Sequence, residues 1–292
     1  MKNSKDIVVV KSFGETEPFS RGKVYRSLKK AGVSGRAADD IVARIEKRLY
    51  QNIKTSDIFK MIKAELKKEH PQEAVKFNLK EGMRNLGPDG FSFEKYIKEI
   101  LMRCGFSVKI DRYVPGRCIA YETDILAENE KTVYFGECKY RNRAGERIDL
   151  SICMKLFAAA IDVKAGNYFK KEIDKGKEIR PILITNAKFS NQAIRYAECQ
   201  GIRLLGWNYP KNNGLEKMID AQKLYPITIL PSFKKYMNEP FGKAGVMLSE
   251  DLLQIKDLAK FCEKVSLPKQ KIQCLLNEAK ALLPDNSLIA KI

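Results

Sequence analysis

The chain has 292 residues, 54 Lys and Arg against 36 Asp and Glu, and 44% hydrophobic residues. This length and hydrophobic content exclude a disordered or fibrous protein and predict two or three domains. The apolar stretches are much shorter than the ~20 residues of a membrane-spanning helix, and the N-terminus lacks the apolar segment of a signal peptide. The composition therefore predicts a soluble, cytoplasmic protein without a membrane partner.

Charge, cysteine and histidine content restrict the chemistry further. The formal net charge of +18 indicates a polyanionic partner, nucleic acid first, because a positive surface attracts phosphates and releases their counterions. The seven cysteines are irregularly spaced with no C-x-x-C pair, which argues against a disulfide framework and a zinc knuckle. Because His70 is the only histidine, His-dependent metal motifs and most Ser-His-Asp systems are excluded. Any catalysis must use carboxylates and lysines.

The first segment, residues 1–88, is predicted to be mostly helical. A β-branched run at residues 7–10 favours a strand, and Ser20 and Ser34 are suited to cap two helices. A third helix is expected from Thr55 or Ser56, and Pro71 fits the first turn of a fourth.

The second segment, residues 89–232, alternates helices and strands. Its order is α-β-β-β-α-β-α-β, with a helix ending at Gly105, strands at 106–114, 121–127 and 132–140, a helix at 150–163, a strand at 181–185, a helix at 191–200, a strand at 202–205 and a short helix at 215–221. The predicted fold class is a multidomain chain that combines α+β and α/β parts.

The third segment, residues 233–292, is predicted to be a helical accessory region, with helices at 249–261 and 268–283. A helical pair of this size could bind DNA, brace a dimer or cap the neighbouring core.

Charged residues interrupt two apolar strands of the second segment, where burial makes them costly without a purpose. Asp124 lies in TDIL, and Glu137 and Lys139 lie in FGECKY. Side chains alternate along a strand, so Glu137 and Lys139 share one face, and an antiparallel pairing could place Asp124 beside Glu137. Two converging carboxylates suit Mg²⁺ or Mn²⁺, and Lys139 could orient a water or stabilise charge on a phosphorane.

This segment resembles the PD-(D/E)xK nuclease superfamily, and more narrowly its Mrr-like restriction endonuclease domains, over residues 91–219. Glu94 in FEKYIKEILMRCGFSV resembles the acidic residue of the family's first helix, and TDIL with FGECKY fits its D-x(n)-E-x-K signature. The resemblance implies a restriction-endonuclease-like core, catalytic roles for Glu94, Asp124, Glu137 and Lys139, and a metal held by Asp124 and Glu137.

Basic residues follow the signature and are candidates for gripping a DNA backbone. The main ones are Arg141, Arg143 and Arg147, and weaker candidates are Lys155 on the next helix, Lys170 and Lys171. A solvated basic loop is the alternative interpretation, and no residue stands out as a reader of base sequence.

The first segment resembles the ATP-cone domain, a regulatory nucleotide-binding module, over residues 6–85. VVKSFGETEPFSRGKVYRSLKKAG and IKTSDIFKMI carry the likeness. It implies that ATP or dATP binds with Val10 against the base, Lys11 and Lys23 at the phosphates, and Glu17 and Thr55 at the nucleotide.

Together these features predict a Mg²⁺-dependent DNA endonuclease that ATP or dATP regulates through the N-terminal cone. Two alternatives stay open. One is a non-catalytic, nucleotide-responsive regulator that binds nucleic acid, and the other is a nuclease acting on RNA or branched DNA. A homo-oligomer, dimeric or higher, is expected.

Overall fold

The structure, a computed structural model, describes residues 6–87 and 91–284. The chain divides into two compact units. One contains residues 1–82, 227–233 and 252–292, and the other contains residues 83–226 and 234–251. This division differs from the three predicted segments, because parts of the third segment pack with each unit. The predicted boundary between residues 88 and 89 lies outside the described residues.

The first unit begins with a small sheet followed by helices that enclose an apolar core. The sheet has the order β2-β1-β3, with β1 antiparallel to β2 and parallel to β3. As predicted, Ser20 and Ser34 cap the first two helices by accepting hydrogen bonds from the backbone N–H groups of Lys23 and Ala37. The elements are β1 Val8–Val10, β2 Thr16–Pro18, α1 Arg21–Lys30, α2 Gly35–Glu46, β3 Ile53–Lys54, α3 Thr55–Glu69, α4 Pro71–Phe77 and α5 Leu79–Arg84.

The second unit is built on a five-stranded mixed sheet. Its order is β10-β8-β6-β5-β4, in which β4, β5 and β6 are antiparallel and β6, β8 and β10 are parallel. The elements are α6 Phe91–Arg103, β4 Ser107–Pro115, β5 Ala120–Glu128, β6 Thr132–Lys139, β7 Arg147–Ile148, α7 Leu150–Ala165, α8 Lys170–Asp174, β8 Glu178–Thr185, β9 Lys188–Phe189, α9 Asn191–Gln200, β10 Arg203–Leu205, α10 Leu215–Ala221 and α11 Asn238–Ala244. The predicted helix and strand order is confirmed. The short elements β7, α8, β9 and α11 are additions that the sequence patterns did not indicate.

The last helices differ from their predicted form. Instead of one helix at 249–261, the structure has α12 Ser249–Leu253 and α13 Leu258–Val265. The break occurs because Asp257 takes an extended conformation and caps α13, accepting a hydrogen bond from the backbone N–H of Lys260 at 3.1 Å. The final helix, α14 Lys269–Leu282, agrees with prediction and packs against α4 within the first unit. The packing of α14 on α4 agrees with the suggested role of covering a neighbouring core.

No helix among residues 6–87 and 91–284 is both long enough and apolar enough to cross a membrane.

Candidate functional site

Acidic side chains occupy adjacent positions across β4, β5 and β6. The register pairs Ile125 of β5 with Gly136 of β6, so Asp124 and Glu137 are the next residues along these strands. The register between β4 and β5 leaves Asp111 opposite Asp124. Directly opposite residues of antiparallel strands share a face of the sheet. The alternation predicted Asp124 beside Glu137, and the structure adds Asp111 to the same row.

Backbone hydrogen bonds fix Asp124. Its Oδ2 accepts a hydrogen bond from the backbone N–H of Cys138 at 2.7 Å. Just before it, the buried Thr123 accepts from the backbone N–H of Gly136 and donates to the carbonyl of Gly136, each at 2.9 Å. Burial raises the pKa of Asp124 above its ordinary value, the Cys138 N–H opposes this, and the negative charge of Glu137 adds to it.

Lys139 forms an ion pair with Glu137, two residues before it on the same strand face. Burial by itself would lower the pKa of Lys139. The hydrogen bond to Glu137 and the negative charges of Glu137 and Asp124 outweigh it, so the pKa lies above its ordinary value. Lys139 therefore keeps its positive charge at neutral pH and cannot serve as a general base there.

Glu94 lies in the first turn of α6 and joins this acidic group. Burial, followed by the negative charges of Asp124 and Asp111, raises its pKa to about 7. Hydrogen bonding to Asp111, which favours the protonated form of Glu94, raises this pKa further. The sequence interpretation missed Asp111, although an acidic residue in the alternating strand SVKIDRYV was a visible signal. Asp111 has φ 52°, an uncommon conformation within a strand for a residue other than glycine.

A cleft of about 550 Å³ opens over these strands. Asp124, Glu137 and Lys139 line it together with Glu122. Helix α7 also lines it, through Ile152, Lys155, Leu156 and Ala159. In the part of the chain that the structure describes, no three potential metal-ligating side chains converge into a ready-made cage.

The three predicted DNA-gripping arginines do not line this cleft. Arg141 and Arg143 lie in the loop after β6, and Arg147 begins β7. The side chain of Asn186 fixes the loop by accepting from the Arg141 N–H and donating to the Arg141 carbonyl, each at 2.8 Å. Arg143 and Arg147 are exposed, so their positions suit contact with a ligand that extends beyond the cleft.

The candidate nucleotide residues of the first unit gather at one end of two parallel strands. Val10 of β1 pairs with Lys54 of β3, so Lys11 and Thr55 follow directly at the same sheet edge. Thr55 begins α3, and the N-cap Lys54 gives this helix no side-chain hydrogen bond. The start of a helix favours negative charge through its free N–H groups and its dipole.

Glu17 connects the two candidate phosphate lysines. Its carboxylate lies 3.0 Å from Lys11 Nζ and 2.7 Å from Lys23 Nζ. The hydrogen bond from Lys23 holds the pKa of Glu17 below its ordinary value, with burial opposing and Lys11 assisting. The pKa of Lys11 is raised, chiefly by its hydrogen bond to Glu17. The structure thus brings together Lys11, Glu17 and Lys23, which the resemblance to the ATP-cone domain had assigned to one nucleotide site.

Comparison with known proteins identifies the domain that carries these lysines. The ATP cone domain family matches residues 7–80, and a family described as AF1548-like, C-terminal, matches residues 225–283. The chain therefore carries an ATP-cone domain at its N-terminus.

A sequence relative and a solved structure show the family to which the chain belongs. A protein from Archaeoglobus fulgidus, described as uncharacterized, is 31% identical over 184 residues, which cover 63% of this chain and 98% of the relative. A crystal structure of AF1548, a protein of unknown function, is 30% identical with a TM-score of 0.54, and the match covers 67% of this chain and 99% of that one. The chain belongs to the AF1548 family.

Proposed function

We propose that the second unit is a Mg²⁺-dependent DNA endonuclease whose activity is regulated by ATP or dATP bound to the N-terminal cone. The observation that carries the proposal is the cleft in which Asp124, Glu137 and Lys139 meet on adjacent strands. Phosphodiester hydrolysis needs carboxylates to hold a cation and a positive group near the reacting phosphate, and these residue types are present together.

The element order supports a restriction-endonuclease-like core. A helix that carries Glu94 precedes three antiparallel strands, and the second and third of these carry Asp124 and the E-x-K residues. A helix, a parallel strand, a second helix and a further parallel strand then complete the sheet. This arrangement is the one that the resemblance to Mrr-like domains implies.

The donor set fits a hard divalent cation. Asp124 and Glu137 offer carboxylate oxygens from neighbouring strands, and the pKa of Asp124 is raised by burial and by the charge of Glu137, a charge that a cation would offset. Mg²⁺ commonly uses one or two carboxylates and takes its remaining ligands from water and substrate phosphates, so a protein cage of three ligands is not required. Mn²⁺ could occupy the same oxygen donors.

Bound there, the cation would polarise the phosphate and lower the pKa of an attacking water. Lys139, charged at neutral pH, would stabilise the negative charge that develops on the phosphorane. Glu94, with a pKa of about 7, is poised to accept or return a proton near neutral pH.

Charge favours a nucleic acid as the polymer that reaches this cleft, and we propose DNA. The net charge of +18 attracts polyanions, and the exposed Arg143 and Arg147 lie beyond the cleft, where neighbouring phosphates would pass. We propose backbone contacts for Arg141, Arg143 and Arg147 outside the cleft. An RNA or branched-DNA substrate would use the same chemistry, and these substrates belong in the test.

The cone supplies the regulatory half of the proposal. Lys11 and Lys23 would meet the triphosphate at the start of α3, while Val10, Glu17 and Thr55 would complete the nucleotide site. A triphosphate would compete with Glu17 for the two lysines, so nucleotide binding must rearrange this ion-pair group.

Plasmid cleavage tests the nuclease directly. We expect the parent protein to nick or linearise supercoiled DNA with Mg²⁺ and to lose this activity in EDTA. Glu137→Gln removes a metal ligand and should reduce the rate at least about 100-fold. Glu130→Gln, at the exposed turn between β5 and β6, is the matched control and should cleave like the parent.

Two outcomes would contradict the proposal. Cleavage by Glu137→Gln at the parental rate would show that the cut does not depend on this cleft. If linear, branched and RNA substrates all remain intact while nucleic-acid binding persists and changes with ATP, the protein is the non-catalytic regulator instead.

A further inference from the structure

Helix α7 contributes one charged residue to the wall of the cleft. Its cleft-lining residues are Ile152, Lys155, Leu156 and Ala159, spaced as one face of a helix. Three of them are apolar. Lys155 is exposed, and it has no hydrogen-bond or ion-pair partner in the part of the chain that the structure describes.

The other lysine of the cleft is placed differently. Lys139 is tied to Glu137 on the strand that carries the E-x-K residues, so its charge is already partly neutralised. Lys155 lines the same cleft from α7, and no carboxylate is paired with it in the described part of the chain. A polyanion entering the cleft passes Asp124, Glu137 and Glu122, and these carboxylates repel it.

We propose that Lys155 binds the backbone phosphate next to the one that is cleaved, and that the substrate is accordingly a polynucleotide strand held by at least two consecutive phosphates. The inference rests on the proposed function and deepens it. A cleft of about 550 Å³ is large for a single phosphate and has the size of pockets that enclose larger ligands. A second, unpaired lysine that lines such a space from a different element can meet a second part of the same ligand.

Binding without cleavage tests this role. In EDTA, we expect Lys155→Gln to raise the Kd for duplex DNA about tenfold at fixed salt, because it removes one charge-assisted contact. The slope of log K against log salt concentration should become about 0.9 less steep, the value for one phosphate contact. Lys155→Arg should retain both values. Lys164→Gln, an exposed lysine on the same helix outside the cleft, is the control and should bind like the parent.

Two substrates then locate the contact. With Mg²⁺, Lys155→Gln should raise KM for DNA and leave hydrolysis of bis(p-nitrophenyl) phosphate unchanged, because that diester has no neighbouring phosphate. Equal losses on both substrates would place Lys155 at the cleaved phosphate and overturn the proposal. Parental affinity and salt slope for Lys155→Gln would overturn it too.

The binding measurements keep this inference separate from the nuclease itself. If the parent cleaves neither substrate but Lys155→Gln loses affinity and slope, the nuclease proposal fails while the phosphate contact stands. If the parent cleaves and Lys155→Gln matches it in every measurement, the nuclease proposal stands and the role of Lys155 is wrong.

Discussion

The pKa of Glu94 depends strongly on the groups around it. In water a glutamate is ionised at neutral pH, but burial and the nearby charges of Asp124 and Asp111 raise its pKa from 4.5 to about 7. Natural sequences rarely keep a carboxyl group in such a position without use, so perturbed residues of this kind gather at functional sites.

The raised pKa of Glu94 predicts a pH dependence of stability. Between pH 4.5 and about 7 the folded state binds more protons than the unfolded state, so the free energy of unfolding falls as pH rises through this window. Glu94→Gln cannot ionise and should avoid this loss. In EDTA at pH 8, we expect the variant to be about 1–2 kcal/mol more stable than the parent. This is less than the full free energy of the pKa shift, because water screens a half-exposed group.

Urea unfolding followed by tryptophan fluorescence measures the stability of the second unit, which contains Glu94. Trp207 is the only tryptophan of the chain, and it is buried in the second unit. Glu99→Gln on the same helix is the control and should follow the parental pH profile. Parallel profiles for Glu94→Gln and the parent would mean that Glu94 ionises normally in the folded protein.

At the scale of elements, the close approach of β6 and β8 positions the E-x-K residues. The parallel register pairs Gly136 with Ile182, Glu137 with Leu183 and Lys139 with Thr185. A Cβ atom on Gly136 would lie 1.7 Å from the Ile182 carbonyl oxygen, so only glycine fits there. The glycine before Glu137 is therefore a packing requirement of the strand pair.

This contact predicts a large effect of one added methyl group. Gly136→Ala must push β6 away from β8, and we expect it to lower the free energy of unfolding by roughly 3 kcal/mol or more. Gly242→Ala in α11 of the same unit is the matched control, because its Cβ meets no atom within 4 Å. It should be neutral or stabilise by up to ~1 kcal/mol, as alanine favours helices. Urea unfolding by Trp207 fluorescence compares both, and equal stability of the two variants would refute the packing argument.

Periodicity and caps predicted most of the elements, and their failures have physical causes. Ser20 and Ser34 were recognisable caps because their hydroxyl groups act locally, within the first helical turn. The helix predicted at 249–261 kept its apolar spacing, but Asp257 adopted an extended conformation and restarted the helix. Propensity alone does not decide between a cap and an interior position for an aspartate.

The candidate sites were predictable in part. Alternation on two strands was enough to place Asp124 beside Glu137, because strand side chains have a period of two. The position of Asp111 opposite Asp124 depends on the register of a third strand. The ion pairs that join Glu17 to Lys11 and Lys23 depend on the β1–β2 hairpin and on the start of α1. Neither the register of a strand pair nor the contacts between side chains of different elements can be read from the residue pattern of one element.

At the scale of the whole molecule, the chain combines a nucleotide-binding module with a unit that carries the acidic cleft. Regulation requires that nucleotide and nucleic acid influence each other's binding, which means a coupling free energy between two sites. The presence of two proposed sites on one chain does not by itself supply this coupling free energy. The two ligands must each prefer one of two states of the protein.

Coupling of this kind is reciprocal, and this yields a prediction independent of catalysis. If ATP changes the Kd for DNA by some factor, DNA must change the Kd for ATP by the same factor. We expect a factor of about 5 to 150, the usual range of such coupling, in calorimetric titrations in EDTA, where no DNA is cut.

Lys23→Gln should weaken ATP binding and abolish the effect of ATP on the Kd for DNA, because it removes a proposed phosphate contact at the cone. Lys29→Gln, at the exposed end of the same helix α1, should keep both. Tight ATP binding with unchanged DNA affinity would show a cone that binds nucleotide without regulating the cleft. A ligand that binds both states of the protein equally well does not change their populations.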